Sequence, residues 1–209
     1  MNENNIAVRL FFSKTGRAKY ISALDLITCF QRAIRRTDIP IWHTQGFNPH
    51  TYVNVNLPLS LGSEGINESM DIKLTEQTDF DVVRDKLNAV LPPDIRIALP
   101  VKKHTEIEKS VYSVNIVCNY EKLEEFMKLP AIEVEKKTKK GVTTLDIKPF
   151  TEIKDYERGH FTLIMPSGCD FTLNPSLFFD AFEKYSGEET ERLDIVRTGI
   201  LCKDGTQFE

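Results

Sequence analysis

The sequence predicts an α+β protein built from two ferredoxin-like (βαββαβ) halves, each an antiparallel sheet with helices packed on one face. Three observations predict it. Strand-like and helix-like segments follow the order strand, helix, strand, strand, helix, strand over residues 1–100, and that order partly recurs over 111–209. Between them, VKKHTEIEK at 101–109 is charged and poor in large apolar groups, so residues 101–110 read as a linker.

Taken in order, IAVRLFF at 6–12 is rich enough in β-branched and aromatic residues for a strand, and SKTGR after it has a turn's composition. A helix follows. Ser22 is a natural N-cap, and Ala23, Leu26, Ile27, Phe30, Ala33 and Ile34 fall on one helical stripe. A turn at 44–50 leads to a short strand at 51–57 and the loop LPLSLGSEGIN; SMDIKLT then alternates as a strand should. The stripe Phe80, Val83, Leu87 and Val90 predicts the second helix, and DIRIALP closes the first half as a strand.

In the second half VYSVNIVC reads as a strand and YEKLEEFMKL as a helix. AIEVEKK and VTTLDIKPF form a hairpin around Lys139, Lys140 and Gly141, which gives this half an extra hairpin strand. HFTLIMP is a further strand, NPSLFFDAFEKY a helix with Pro175 at its first position, and LDIVRTGILC the last strand.

The composition excludes some classes. With 209 residues, 41% hydrophobic and 28% charged, the chain is an ordinary globular protein rather than a disordered one. No apolar run approaches the roughly 18 residues of a membrane span, and the N-terminus lacks a signal-peptide pattern, so a cytoplasmic protein with no membrane partner is expected. Cys29, Cys118, Cys169 and Cys202 are far apart and form no paired zinc or redox motif. The net charge is −4, yet residues 1–60 carry seven Lys/Arg against three Asp/Glu, which leaves 20 against 28 for the rest. A basic head before an acidic remainder suits an anionic partner, although scattered surface charge would give the same count.

Candidate chemistry concentrates in that head. Lys14, Arg17 and Lys19 follow the first strand, and Arg32, Arg35 and Arg36 end the first helix off its apolar stripe, where they also complement the helix dipole. Tyr20, Trp42, Phe47 and Tyr52 supply rings nearby. Cations that neutralise phosphates beside rings that stack on unpaired bases are the chemistry of single-stranded RNA recognition. The RNA-binding set is therefore Lys14, Arg17, Lys19, Arg32, Arg35, Arg36, Gln45, Phe47, Asn48 and His50. Many rings on strands are core, so about half of these are expected to be buried.

An enzyme reading starts from His43 and His50, which flank the turn Gln45-Gly46-Phe47-Asn48-Pro49. If the turn brings both imidazoles to one side, they could share acid and base roles on RNA, with Asp25 a weak third candidate. Structural or stacking histidines are the commoner outcome. No third ligand accompanies them for a metal, no phosphate loop, GxGxxG, HExxH or GxSxG occurs, and no cofactor is expected.

The run FFSKTGRAKYISALDLITCFQRAIRRTDIPIWHTQGFNPHTYVNVNLPLSLGSEG resembles the radical SAM-linked proteins, a group of unassigned function found alone or fused behind cobalamin-binding radical SAM enzymes. Asp25, Arg32, Arg35, Arg36 and Gln45 to His50 fall on the positions of its pattern. Ala23 stands where that pattern has a histidine, and His43 and Thr44 replace an aromatic residue and a serine. An activity needing the missing histidine would have to draw on another residue, with His43 the nearest substitute. The resemblance implies a radical SAM enzyme as partner. This chain is not that enzyme, since it lacks three closely spaced cysteines for an iron–sulfur cluster. The doubled layout also looks like CRISPR repeat-processing endoribonucleases and some tRNA pseudouridine synthases, a likeness of fold alone.

The expected function is an accessory protein that binds tRNA or another RNA, or presents substrate to the radical SAM partner. A metal-independent RNA enzyme using His43 and His50, and a protein-interaction scaffold without nucleic acid, are the alternatives.

Overall fold

The computed structural model describes residues 5–100, 106–138, 141–168 and 171–208. It is a mixed α+β protein, with antiparallel sheets and four α-helices among the described residues. The chain divides into two compact units, Met1–His104 and Thr105–Phe208.

In the first unit β1 (Ile6–Lys14) is followed by a 3-10 turn over Gly16–Tyr20 and by α1 (Ala23–Ile34). Ser22 starts α1 as the sequence predicts, its side chain accepting a hydrogen bond from the Asp25 backbone N–H. β2 (Val53–Val55), β3 (Glu64–Leu74), α2 (Phe80–Val90) and β4 (Ile95–Pro100) complete the unit. The spatial order is β4-β1-β3-β2, every neighbour antiparallel. Alternate strand residues Val8, Leu10, Phe12, Met70, Ile72 and Leu74 meet Leu26, Phe30, Ala33 and Ile34 of α1 and Val83 and Leu87 of α2 in one core. Three elements differ in their bounds from expectation, β2 being confined to Val53–Val55 of the expected 51–57. β1 runs on through Ser13 and Lys14, and β3 begins five residues earlier than the apolar alternation indicated, because polar residues such as the buried Glu68 occupy strand positions.

The second unit opens with β5 (Ile107–Val117), so the expected linker at 101–110 ends too late; residues 101–105 lie outside those described. α3 (Tyr120–Met127), the hairpin β6 (Glu133–Thr138) and β7 (Gly141–Asp146), then β8 (Glu152–Glu157), β9 (His160–Pro166), α4 (Pro175–Ser186) and β10 (Glu191–Cys202) follow. The order here is β10-β5-β9-β8, again antiparallel, with β6 and β7 pairing apart as a two-stranded sheet. Thus the whole hairpin is additional, and the edge strand β8 was absent from the sequence reading. Lys139, Lys140 and Cys169, which that reading named, are not among the described residues. Phe126, Phe161, Phe178, Phe179 and Phe182 form the centre of the unit's core.

β8 and β9 are joined by a turn that only glycine fits. Gly159 has φ +86°, and a Cβ there would stand 2.4 Å from the Ile116 carbonyl oxygen and 2.6 Å from the Tyr120 ring. Gly159→Ala is expected to cost about 1–3 kcal/mol in urea unfolding. Gly205→Ala, at φ +80° in open space, serves as the control and should cost less.

Among the described residues no helix is long and apolar enough to cross a membrane.

Candidate functional site

The segment 41–52 leaves the first unit's sheet as a narrow hairpin. Ile41 bridges to Leu74 and the Trp42 N–H donates to the Lys73 carbonyl at 2.8 Å, so its base is fixed to the end of β3 that pairs with the start of β1. His43 bridges to Thr51, and the Thr44 N–H donates to the His50 carbonyl at 2.8 Å. Between them the chain bends through Gly46, at φ +130°, a conformation that a side chain would oppose. Thr44 closes the loop: its hydroxyl accepts from the His50 N–H at 3.1 Å and lies 3.0 Å from His50 Nδ1.

Phe47 stands at the tip with its ring fully exposed, at 106% of its reference area, and Gln45, Asn48, Pro49 and His50 around it are exposed too. His50 Nδ1 lies 3.2 Å from the Asn48 carbonyl oxygen and 3.0 Å from the Thr44 hydroxyl, so this nitrogen is engaged within the loop.

Hairpin pairing decides the fate of the two histidines. Paired residues share a face, so His50 lies with Thr44 while His43 lies with Thr51, whose hydroxyl is 3.5 Å from His43 Nε2. Positions 43 and 50 therefore point to opposite faces. The one-sided imidazole pair that the enzyme alternative required is not formed. Asp25, the weak third candidate, accepts a 2.7 Å hydrogen bond from the Ser22 hydroxyl and belongs to the helix cap.

At the base of the hairpin Trp42 and Tyr52 meet edge to face, 6.2 Å apart, and the Lys73 ammonium sits 4.8 Å from both ring centroids. Sequence reading named both rings but missed the lysine between them. Its place on the helix-free face of β3 beside two distant residues leaves no local signal. The same face carries Arg9, bound to Asp71 at 2.6 and 2.9 Å, with the Asn56 side chain between Asp71 and Ser69. Asp71 holds the Arg9 guanidinium above its ordinary pKa, against the smaller opposing effect of burial.

The positively charged candidates divide between the two ends of the unit. α1 runs back toward the hairpin, and Gln31 in its last turns donates to the Thr51 carbonyl at 3.1 Å. Arg35 lies one turn beyond Gln31 on the same side, with Arg32 and Arg36 on the adjacent stripe, all exposed and without an ion pair among the described residues. Arg36 also donates to the Arg32 carbonyl at 3.3 Å, so the helix-dipole role anticipated for these residues is present as well. Burial pushes the neighbouring Cys29 thiol up, while Arg36 and Arg32 pull it down less strongly.

Lys14, Arg17 and Lys19 are at the other end of β1. Eight strand steps separate Ile6, beside the hairpin, from Lys14, or about 26 Å. Lys14 is 1% exposed, its ammonium donating to the Lys19 and Ile21 carbonyls at 3.4 and 3.1 Å, and so is unavailable to a phosphate. Lys19 pairs with Glu64 at 3.6 Å, and Arg17 is held loosely, 4.0 Å from Asp94. These three do not converge on the turn. The helix arginines share its end of the unit.

No protein of curated function matches the chain. A family model described as uncharacterized protein conserved in bacteria (DUF2344) matches residues 7–174, from β1 to the threshold of α4 and through the hairpin and the arginine-bearing helix. The chain belongs to that family of bacterial proteins.

Proposed function

We propose that the protein is an accessory module that binds single-stranded RNA at the hairpin end of its first unit, in partnership with a radical SAM enzyme in a cytoplasmic setting. The observation that carries the RNA reading is a ring with no structural duty. Phe47 is fully exposed on a hairpin anchored to β3, beside a helix end whose three arginines form no ion pair among the described residues. An exposed phenylalanine contributes nothing to the core, whereas stacking on an unpaired base gives its surface a partner. Arg32, Arg35 and Arg36 would neutralise the flanking phosphates, and Gln45, Asn48 and His50 offer polar groups to base edges. The radical SAM partner follows from the resemblance of residues 11–65 alone.

In the same reading both units are ferredoxin-like. The order β4-β1-β3-β2 of the first, and its counterpart β10-β5-β9-β8 with the β6/β7 hairpin inserted, support this topology.

Fluorescence anisotropy of a labelled single-stranded oligoribonucleotide and of tRNA, titrated with the full chain at several salt concentrations, tests the RNA claim. Binding that weakens steeply with salt is expected. Absence of binding at low salt, or affinity indifferent to salt, would overturn it. Co-purification with a radical SAM protein after nuclease treatment, with no RNA affinity, would favour a protein-interaction scaffold instead.

A further inference from the structure

The hairpin inserted in the second unit leaves one strand edge uncovered. β6 and β7 pair from Glu133 opposite Asp146 to Thr138 opposite Gly141, and β6 lies against α4. In an antiparallel pair, alternate residues turn their backbone N–H and C=O groups away from the partner strand. On β7 the outward groups between Val142 and Leu145 find no hydrogen bond among the described residues. Residues 141–144 are exposed, Val142 at 60%.

An open strand edge invites pairing with another chain, and proteins ordinarily blunt it with charge, a bulge, brevity or a cover. Other outer strands of this protein are blunted in these ways. β8 has four charged residues in six and the left-handed Asp155, at φ +53°. On β4 the Asn88 side chain takes both the N–H and the carbonyl of Ile97, at 2.8 and 3.0 Å, and β2 is three residues long. β7 has none of these devices. From Gly141 to Leu145 it reads Gly-Val-Thr-Thr-Leu, uncharged and largely β-branched, as suits a strand with neighbours on both sides.

The charges of the hairpin select the occupant. Glu133 and Glu135 stand in the first half of β6, with Asp146 opposite Glu133, whereas Lys136 and Lys137 stand in the half next to the turn. Two copies of the hairpin laid antiparallel, β7 beside β7, bring the acidic half of each next to the lysine half of the other. A parallel arrangement would set like charges side by side.

We infer that β7 is a self-association edge, through which a second copy of this chain adds its own β7 antiparallel to form a four-stranded β6-β7-β7-β6 sheet. Such a contact uses the same edge on both copies and closes on itself. Growth stops at two, because each outer strand is then β6, with four charged residues in six. The inference is independent of the RNA reading.

The test is sedimentation equilibrium of the full chain from about 1 µM to about 1 mM. One short edge buries less than a standard interface, so a dimer half-formed at roughly 100 µM is expected. The double variant Val142→Lys, Thr144→Lys should raise that concentration about tenfold or more, because the middles of two antiparallel β7 strands meet and like charges there repel. Both side chains are exposed, so the hairpin is retained. The exchange Val142→Thr, Thr144→Val keeps the edge uncharged and should leave the dimer unchanged. A single-chain mass at every concentration would overturn the inference, as would a dimer that the two lysines leave intact or that the exchange abolishes.

Discussion

Replacing Phe47 with alanine is expected to weaken single-stranded RNA binding by about 1–3 kcal/mol, roughly 5- to 150-fold, with no change in the unfolding midpoint. The two halves of this prediction have one cause. A ring that is wholly outside the core stabilises nothing in the free protein, so its loss is felt only where a base would have stacked. Phe47→Trp should retain or improve affinity, because the larger π-face stacks at least as well. Equal affinity for wild type and Phe47→Ala would remove the ring from the account.

The second large effect concerns stability. Phe178 is fully buried and packs its ring on Phe126 at 5.5 Å, Phe179 at 5.6 Å and Phe161 at 6.1 Å. It thereby joins α3, α4 and β9 into one core. Phe178→Ala removes the shared member of these contacts and leaves a cavity, with an expected loss of about 3–5 kcal/mol in urea unfolding. That is a large part of the roughly 5–15 kcal/mol that holds an ordinary domain together. A loss under about 1 kcal/mol would mean that the neighbouring phenylalanines close the gap.

Local signals made several elements legible. Ser22 and the stripe Leu26, Phe30, Ala33 and Ile34 specify α1, and Asn174 followed by Pro175 marks the start of α4, since caps and periodicity act within one or two turns. β8 escaped because EIKDYE is charged and Asp155, at φ +53°, breaks the two-residue alternation by which a strand is read. The early part of β3 escaped for a related reason, as Glu68 looks like a loop residue until its burial is known.

The site was legible in composition but not in arrangement. Gly46 and Asn48-Pro49 announce the bend, and the arginines announce positive charge. Which side His43 and His50 face depends on the hairpin register, and register is set by contacts that sequence spacing does not display. Lys14 illustrates the limit most sharply. A lysine after a strand normally reads as surface, yet this one is interior and held by the carbonyls of the following turn.

The central claim is that the end of α1 and the hairpin tip act together on one RNA strand. Its most direct test is the salt dependence of oligoribonucleotide binding for wild type and for the variant Arg32→Gln, Arg35→Gln, Arg36→Gln. Each phosphate contact contributes about 0.7 to the slope of log affinity against log salt on a single strand, so the variant's slope should fall by about 2. An unchanged slope, with RNA still bound, would place the phosphates elsewhere and contradict the account.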